Sequence, residues 1–208
     1  MSMAHSFKTV RHKSEALYKE KGSKFLAFVF PVSDKHEVDL CLSELRKVYH
    51  DARHQCYAYI LGFDGNLELR ANDDGEPKHS AGDPILGQIK SANLTNTLIV
   101  VVRYFGGTKL GVSGLINAYK TAAQEAIKAN HIIKVYITQS IEIKFPYAST
   151  NEVMQLINSF DVQIVSQDFD EDCTIIGRLK INRLEAFEAR IKLLQQTGTV
   201  VKSTNIGS

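Results

Sequence analysis

Two groups of residues able to do chemistry lie in one stretch, residues 72–126. The first is acidic: Asp73, Asp74 and Glu76 fall within four positions of a segment rich in Asp, Gly and Pro. Carboxylates so close together suit a hard cation or acid–base work. They equally suit a solvated turn, because neighbouring Asp side chains on extended backbone point apart. The one cofactor this loop suggests is magnesium, bridging it to a phosphate. The second group is the turn Gly106-Gly107-Thr108-Lys109-Leu110-Gly111-Val112-Ser113-Gly114, at the entry to a helix. Gly106 and Gly111 have the spacing of a phosphate-binding P-loop, but Val112-Ser113 stands where Lys-Ser/Thr is required, so the Walker reading fails. The general anion site of a helix N-terminus survives, with the amides of residues 111–114 turned to the ligand and Arg103 and Lys109 bracketing the turn. The alternative is that the glycines only permit close packing. The candidate anion- or nucleic-acid-binding set is Arg103, Gly106, Gly107, Lys109, Gly111, Ser113, Gly114 and Lys120.

Other chemistry is weaker. His50, Asp51, His54 and His79 do not fall at zinc spacing, since His50 and His54 would meet only on a helix that continued between them. No metal site is expected. Gly-x-Ser-x-Gly is absent and no cysteine has an activating neighbour in sequence, so nucleophilic catalysis is unsupported. Tyr57, Tyr59, Tyr104, Phe105 and Tyr119 lie near Arg53, Arg103 and Lys120. Such residues stack on and neutralise single-stranded nucleic acid, or else fill half-buried sheet positions.

The elements that must position these residues follow from periodicity. Residues 14–21 and 24–31 read as strands around Gly22. Ser33 reads as the cap of a helix whose buried face is Val38, Cys41, Leu42, Leu45, Val48 and Tyr49. Residues 53–61 and 66–71 form a hairpin around 62–65, residues 73–84 a loop and residues 85–92 a short helix. Residues 97–105, apolar apart from Arg103, read as a central strand covered on both faces. The helix over 112–129 turns Val112, Leu115, Ile116, Tyr119, Ala122, Ala123, Ala126 and Ile127 inward. The pattern restarts after Asn130. A strand over 133–145, a helix capped by Ser149-x-x-Glu152, a hairpin of 162–168 and 173–181 around the acidic turn 168–172, a helix capped by Asn182-x-x-Glu185 and a strand over 199–202 make a split βαβ, ferredoxin-like unit. The expected fold is therefore α+β in two domains, 1–131 and 132–208.

Composition bounds the function. The chain has 208 residues and a net charge of +2, with 17 Lys and Arg against 14 Asp and Glu up to residue 132 and 8 against 9 beyond it. That mild bias permits a nucleic-acid surface without demanding one. Three scattered cysteines and the lack of a leader or a membrane-length apolar run point to a cytoplasmic protein with no membrane partner.

Four runs carry a family resemblance: KGSKFLAFVFPV, DARHQCYAYILG, NDDGEPKHSAGDPIL and VVVRYFGGTKLGVSGLINAY. In this order they resemble the YigZ/IMPACT family, and the restart after residue 132 is similar to the small C-terminal domain of its bacterial members. The resemblance implies that the first domain folds like the second domain of small-subunit ribosomal protein five, and the second like the ferredoxin-like modules of elongation factor G. It implies a regulator tied to translation that binds RNA, the ribosome or a translation protein, more a binder than an enzyme. The alternative is an enzyme or sensor for a small phosphorylated ligand at the glycine-rich helix start. Tyr57, Arg103 and the turn 106–114, with His54, His79 and Tyr104, are the residues expected along a groove between the domains. Two departures stand out. Lys78-His79-Ser80-Ala81-Gly82 replaces the family's usual Ser-Gly-Thr-Ala-Gly. Asn117 stands where the family usually has arginine, which removes a cation from the presumed anion face.

Overall fold

Residues 98–102 are apolar on both sides of the backbone, and they lie in the middle strand of a five-stranded sheet. The structure is a computed structural model that describes residues 5–63, 65–170 and 172–206. The first strands are β1 (Ser6–Val10), β2 (Ser14–Glu20) and β3 (Ser23–Pro31), followed by helix α1 (Lys35–Val48). Next come β4 (His54–Leu61), β5 (Glu68–Asn72), α2 (Gly82–Ser91), β6 (Thr97–Tyr104), α3 (Gly111–Lys128) and β7 (Ile132–Tyr136). The remainder is β8 (Thr138–Pro146), α4 (Thr150–Phe160), β9 (Gln163–Asp168), β10 (Asp172–Lys180), α5 (Leu184–Gln196) and β11 (Lys202–Ile206). The chain divides into two compact units, one ending at Val135 and one starting at Tyr136. Among the described residues, no helix is long and apolar enough to cross a membrane.

In the first unit the sheet order is β2-β3-β6-β4-β5, and every neighbouring pair is antiparallel. Side chains alternate across each strand. Phe25, Ala27, Val29, Cys56, Ala58, Ile99 and Val101 face α2 and α3. Phe28, Phe30, Tyr57, Tyr59, Leu98, Val100 and Val102 face α1. The mixed α/β unit is thus a sheet between helical layers. Small residues Ala118, Ala122, Ala123 and Ala126 let α3 lie close to the sheet. In the second unit the order β11-β8-β10-β9, again antiparallel, supports α4 and α5 over a separate core of Ile141, Ile143, Ile175, Leu179 and Phe187.

The structure corrects several expectations. Asp34, not Ser33, caps α1: its carboxylate accepts from Glu37 N at 2.9 Å, while Glu37 accepts from Ser33 N at 2.7 Å. Val48 is exposed, as are Val112 and Ile116, because the buried stripe of α3 runs through Leu115, Ala118, Tyr119 and Ala122 instead. The expected strand 133–145 is two strands, and the first of them, β7, pairs with β1 in the first unit. Arg11 N donates to His131 O at 2.9 Å and holds the chain there after α3. Neither Ser149 nor Asn182 caps a helix by its side chain; single tight turns, Tyr147–Ser149 and Ile181–Arg183, lead into α4 and α5 instead. The last strand starts at Lys202, since Thr199 N is taken by Leu194 O at the end of α5. Asp64 in the turn 62–65 and Glu171 in the turn 168–172 lie outside the described residues.

Candidate functional site

The acidic loop is half-buried at Asp73, Asp74 and Glu76 and exposed at Gly75 and residues 77–79. Its three carboxylates are used inside the protein. Asp73 Oδ1 accepts from Ala81 N at 2.9 Å and Gly82 N at 2.8 Å, and its Oδ2 from His79 N at 2.8 Å. It therefore caps α2 from eight and nine residues upstream, which is why that helix starts at Gly82 rather than at residue 85. Burial acts to raise the Asp73 pKa, but the three N–H donors outweigh it and hold the carboxyl below its ordinary value. Asp74 Oδ2 accepts from Gln55 N at 2.7 Å, and the Asp74 carbonyl faces His54 Nδ1 at 2.8 Å. The loop is thus a structural latch across β4 and α2.

Glu76 reaches deepest. Its Oε1 accepts from Arg103 Nη1 at 2.6 Å and from the Tyr119 hydroxyl at 2.8 Å. The Arg103 and Glu76 side chains are only 8% and 4% exposed, so this ion pair is buried. Arg103 could not remain there alone, because an isolated buried charge costs several kcal/mol. Even so, Arg103 Nε is buried with no hydrogen-bond partner among the described residues. Leaving such a donor unmade costs about 1–3 kcal/mol. The Cys56 Sγ lies 3.0 Å from Asp73 O and 3.3 Å from the Tyr119 hydroxyl. Burial pushes the Cys56 thiol and the Tyr119 phenol well up, so neither is an activated nucleophile.

Beyond this cluster, β6 delivers Tyr104 and Phe105 to the surface. A cavity of about 400 Å³ is lined by Asp51, Arg53, His54, Arg103, Tyr104 and Phe105. A second, of about 360 Å³, is lined by Gly22, Lys24, Leu26 and the same Tyr104 and Phe105. Phe105 is 57% exposed between them, and the Arg103 guanidinium lies 5.7 Å from its ring centre. Arg53 and Lys24 are exposed cations on either side. Tyr104 donates to Asp51 Oδ1 at 2.6 Å; that hydrogen bond raises the phenol to about 12 and lowers the Asp51 carboxyl.

The expected site residues separate. Arg103 is inside the buried ion pair rather than free on an anion face. Gly106 packs backbone to backbone with Gly22: a Cβ on Gly106 would stand 1.9 Å from the Gly22 carbonyl carbon. Gly107, Lys109, Gly111 and Ser113 are exposed, and Gly114 is half-buried against Leu110. The N-terminus of α3 has no side-chain cap and no acidic residue in its first turn. Lys120 lies two turns beyond Ser113 on the exposed side of α3, about 10 Å along the axis, so it stands away from the turn itself. Of the groove residues, His54 and Tyr104 meet at the larger cavity. Tyr57 is buried on the α1 side, and exposed His79 pairs with Asp83 at 2.6 Å. His79 has φ 64°, a left-handed conformation at the position where the resembling family usually has glycine.

Sequence reading missed the Glu76–Tyr119–Cys56 connection and the place of Lys24 beside Phe105. The signal was available for the first. Period-two alternation puts His54 and Cys56 on one face of β4 and Arg103 on the same face of β6, and a cation inside a sheet needs a counter-ion.

Residues 21–127 match the Impact N-terminal domain family. An IMPACT family member of Haemophilus influenzae is 30% identical over 199 residues, covering 94% of this chain and 96% of that protein. IMPACT family member YvyE of Bacillus subtilis is 39% identical over 130 residues, 62% of this chain and 58% of the relative's own length. A Protein IMPACT homolog of Dictyostelium discoideum is 34% identical over 126 residues, and the chain spans 34% of its length. A solved structure described as a hypothetical protein has a TM-score of 0.70 over 99% of this chain and 100% of that one, at 24% identity, which is a likeness of fold. By the span of its N-terminal match and its near full-length bacterial relative, the chain belongs to the IMPACT family.

Proposed function

We propose that this chain is a non-catalytic, cytoplasmic module that binds single-stranded RNA in the setting of translation. The observation that carries the reading is the surface at the end of β6. Phe105 stands exposed between two cavities, beside Tyr104 and between the exposed cations Arg53 and Lys24. Aromatic faces accept unstacked bases and nearby cations neutralise the backbone. The raised thiol and phenol in the cluster below favour binding over nucleophilic chemistry. The three cysteines are free, in keeping with a reducing compartment. We read the first unit as the fold of the second domain of small-subunit ribosomal protein five, with functional domains of 1–131 and 132–208. We read the second as ferredoxin-like; its antiparallel strand order β11-β8-β10-β9 supports this.

The test is fluorescence anisotropy of a labelled single-stranded RNA in a salt series. Affinity is expected to fall with salt as phosphates release counterions. Phe105→Ala removes one stacking face, worth about 1–3 kcal/mol, so binding weakens roughly fivefold or more. Absence of binding at low salt, or an unchanged Phe105→Ala, defeats the proposal. Binding to purified ribosomes or a translation protein without RNA affinity would relocate the partner. A second reading, a small phosphorylated ligand at the uncapped start of α3 beside Lys109, is favoured instead if phosphates raise the melting temperature and RNA does not bind.

A further inference from the structure

The larger cavity places a hydrogen-bond donor next to an acceptor. His54 Nδ1 is 2.8 Å from the Asp74 carbonyl. A carbonyl can only accept, so Nδ1 carries the proton and the neutral ring offers Nε2 as an acceptor. Arg103 is the direct cross-strand neighbour of His54. Such neighbours have Cβ atoms about 5 Å apart, and both side chains line this cavity. A guanidinium only donates, and the Arg103 side chain, 8% exposed where it lines this cavity, has a single side-chain hydrogen bond among the described residues, from Nη1 to Glu76.

Charge decides what kind of ligand answers this pair. Glu76 already neutralises Arg103. The other two charged groups on the wall, Asp51 and Arg53, oppose each other. The cavity therefore has no surplus positive charge with which to hold a phosphate. Its remaining wall is aromatic, Tyr104 and Phe105. A flat, neutral group with an acceptor beside an N–H fits both the wall and the pair.

Resting on the RNA reading above, we propose that this cavity takes one unpaired nucleobase by its Watson–Crick edge, stacked on Phe105. The acceptor of that edge lies toward Arg103 and the adjoining N–H toward His54 Nε2. Each of the four bases offers such an edge when it is unpaired. The backbone phosphates then lie outside the cavity, near Arg53 and Lys24.

Anisotropy with 12-mers of uridine and of adenosine tests this. Each is compared with its counterpart methylated on the edge, 3-methyluridine or N6,N6-dimethyladenosine. A 12-mer of 5-methyluridine, whose pairing edge is intact, is the control. Methylation of the edge is expected to weaken binding at least about fivefold, and 5-methylation to change it less than twofold. His54→Asn keeps a donor for the Asp74 carbonyl and loses the Nε2 acceptor, so it should narrow the fivefold gap to below twofold. If edge-methylated and plain RNA bind the wild-type chain alike, the inference is overturned and the RNA reading stands. If no RNA binds at low salt, both fall.

Discussion

Glu76→Ala is the sharpest test of how the first unit is held together. The substitution leaves the Arg103 guanidinium buried at the end of β6 without its counter-ion, and removes the acceptor of the Tyr119 hydroxyl. Breaking a buried pair from one side costs about 3–5 kcal/mol, most of it the penalty of the stranded charge. For a unit of this size about 1 kcal/mol moves the melting temperature by roughly 3–5 °C, so a fall on the order of 10–20 °C is expected. The chain has no tryptophan, so calorimetry or far-ultraviolet circular dichroism of the full chain is the assay. The combined replacement Glu76→Leu, Arg103→Met and Tyr119→Phe removes the charges and the orphaned hydroxyl together. It should recover more than half of the loss, because burying apolar groups of similar size is often neutral relative to an ion pair. A single-mutant cost below about 1 kcal/mol, or a triple variant no better than the single, would refute the reasoning.

Three further outcomes follow. Asp73 has a folded pKa below its unfolded value of about 3.9, so the stability it supplies is present above that value and lost as pH falls through the folded pKa. Asp73→Asn should therefore cost about 1–2 kcal/mol at pH 7 in urea unfolding, with the difference from wild type shrinking as pH falls below about 4; a constant difference counts against the capping role. Gly106→Ala forces a methyl into the Gly22 backbone and should abolish folding or lower the urea midpoint drastically, while Gly114→Ala, whose new Cβ meets only the Leu110 side chain at 3.0 Å, should be far milder; equal effects would be contrary evidence. His79→Gly relieves a left-handed residue and gives up only an exposed contact with Asp83, so it should stabilise the fold by roughly 0.5–1 kcal/mol in urea unfolding; a lower urea midpoint would count against the strain.

Strong periodicity made much of the fold legible. Residues 97–104 could only be a central strand, and the alanine stripe of α3 could only face a sheet. The ends of elements were less legible where distant groups decide them. The cap of α2 comes from Asp73 through a loop, and β7 separates from β8 because its partner, β1, is at the other end of the chain. The site was legible as a set of residue types but not as pairings. Arg103 reads as a free cation beside a glycine turn until Glu76 is seen to reach it across 27 positions. Local sequence holds no record of a contact made by loop closure. Phe105 was named among the aromatics, yet nothing in its neighbours marked it, rather than Tyr57 or Tyr119, as the exposed one.

The buried Arg103–Glu76 pair also constrains how such a chain can change over generations. Folded domains have only about 5–15 kcal/mol of stability in total. A lineage that loses either residue first spends a large part of that margin on one lone buried charge. Drift at the two positions is therefore blocked one step at a time, although an apolar core without either charge would be a sound end point. The pair is expected to pass between descendants intact, or to vanish from both positions with the Tyr119 hydroxyl. Glu76, in a surface-reading acidic loop, should thus be held as tightly as the middle of β6.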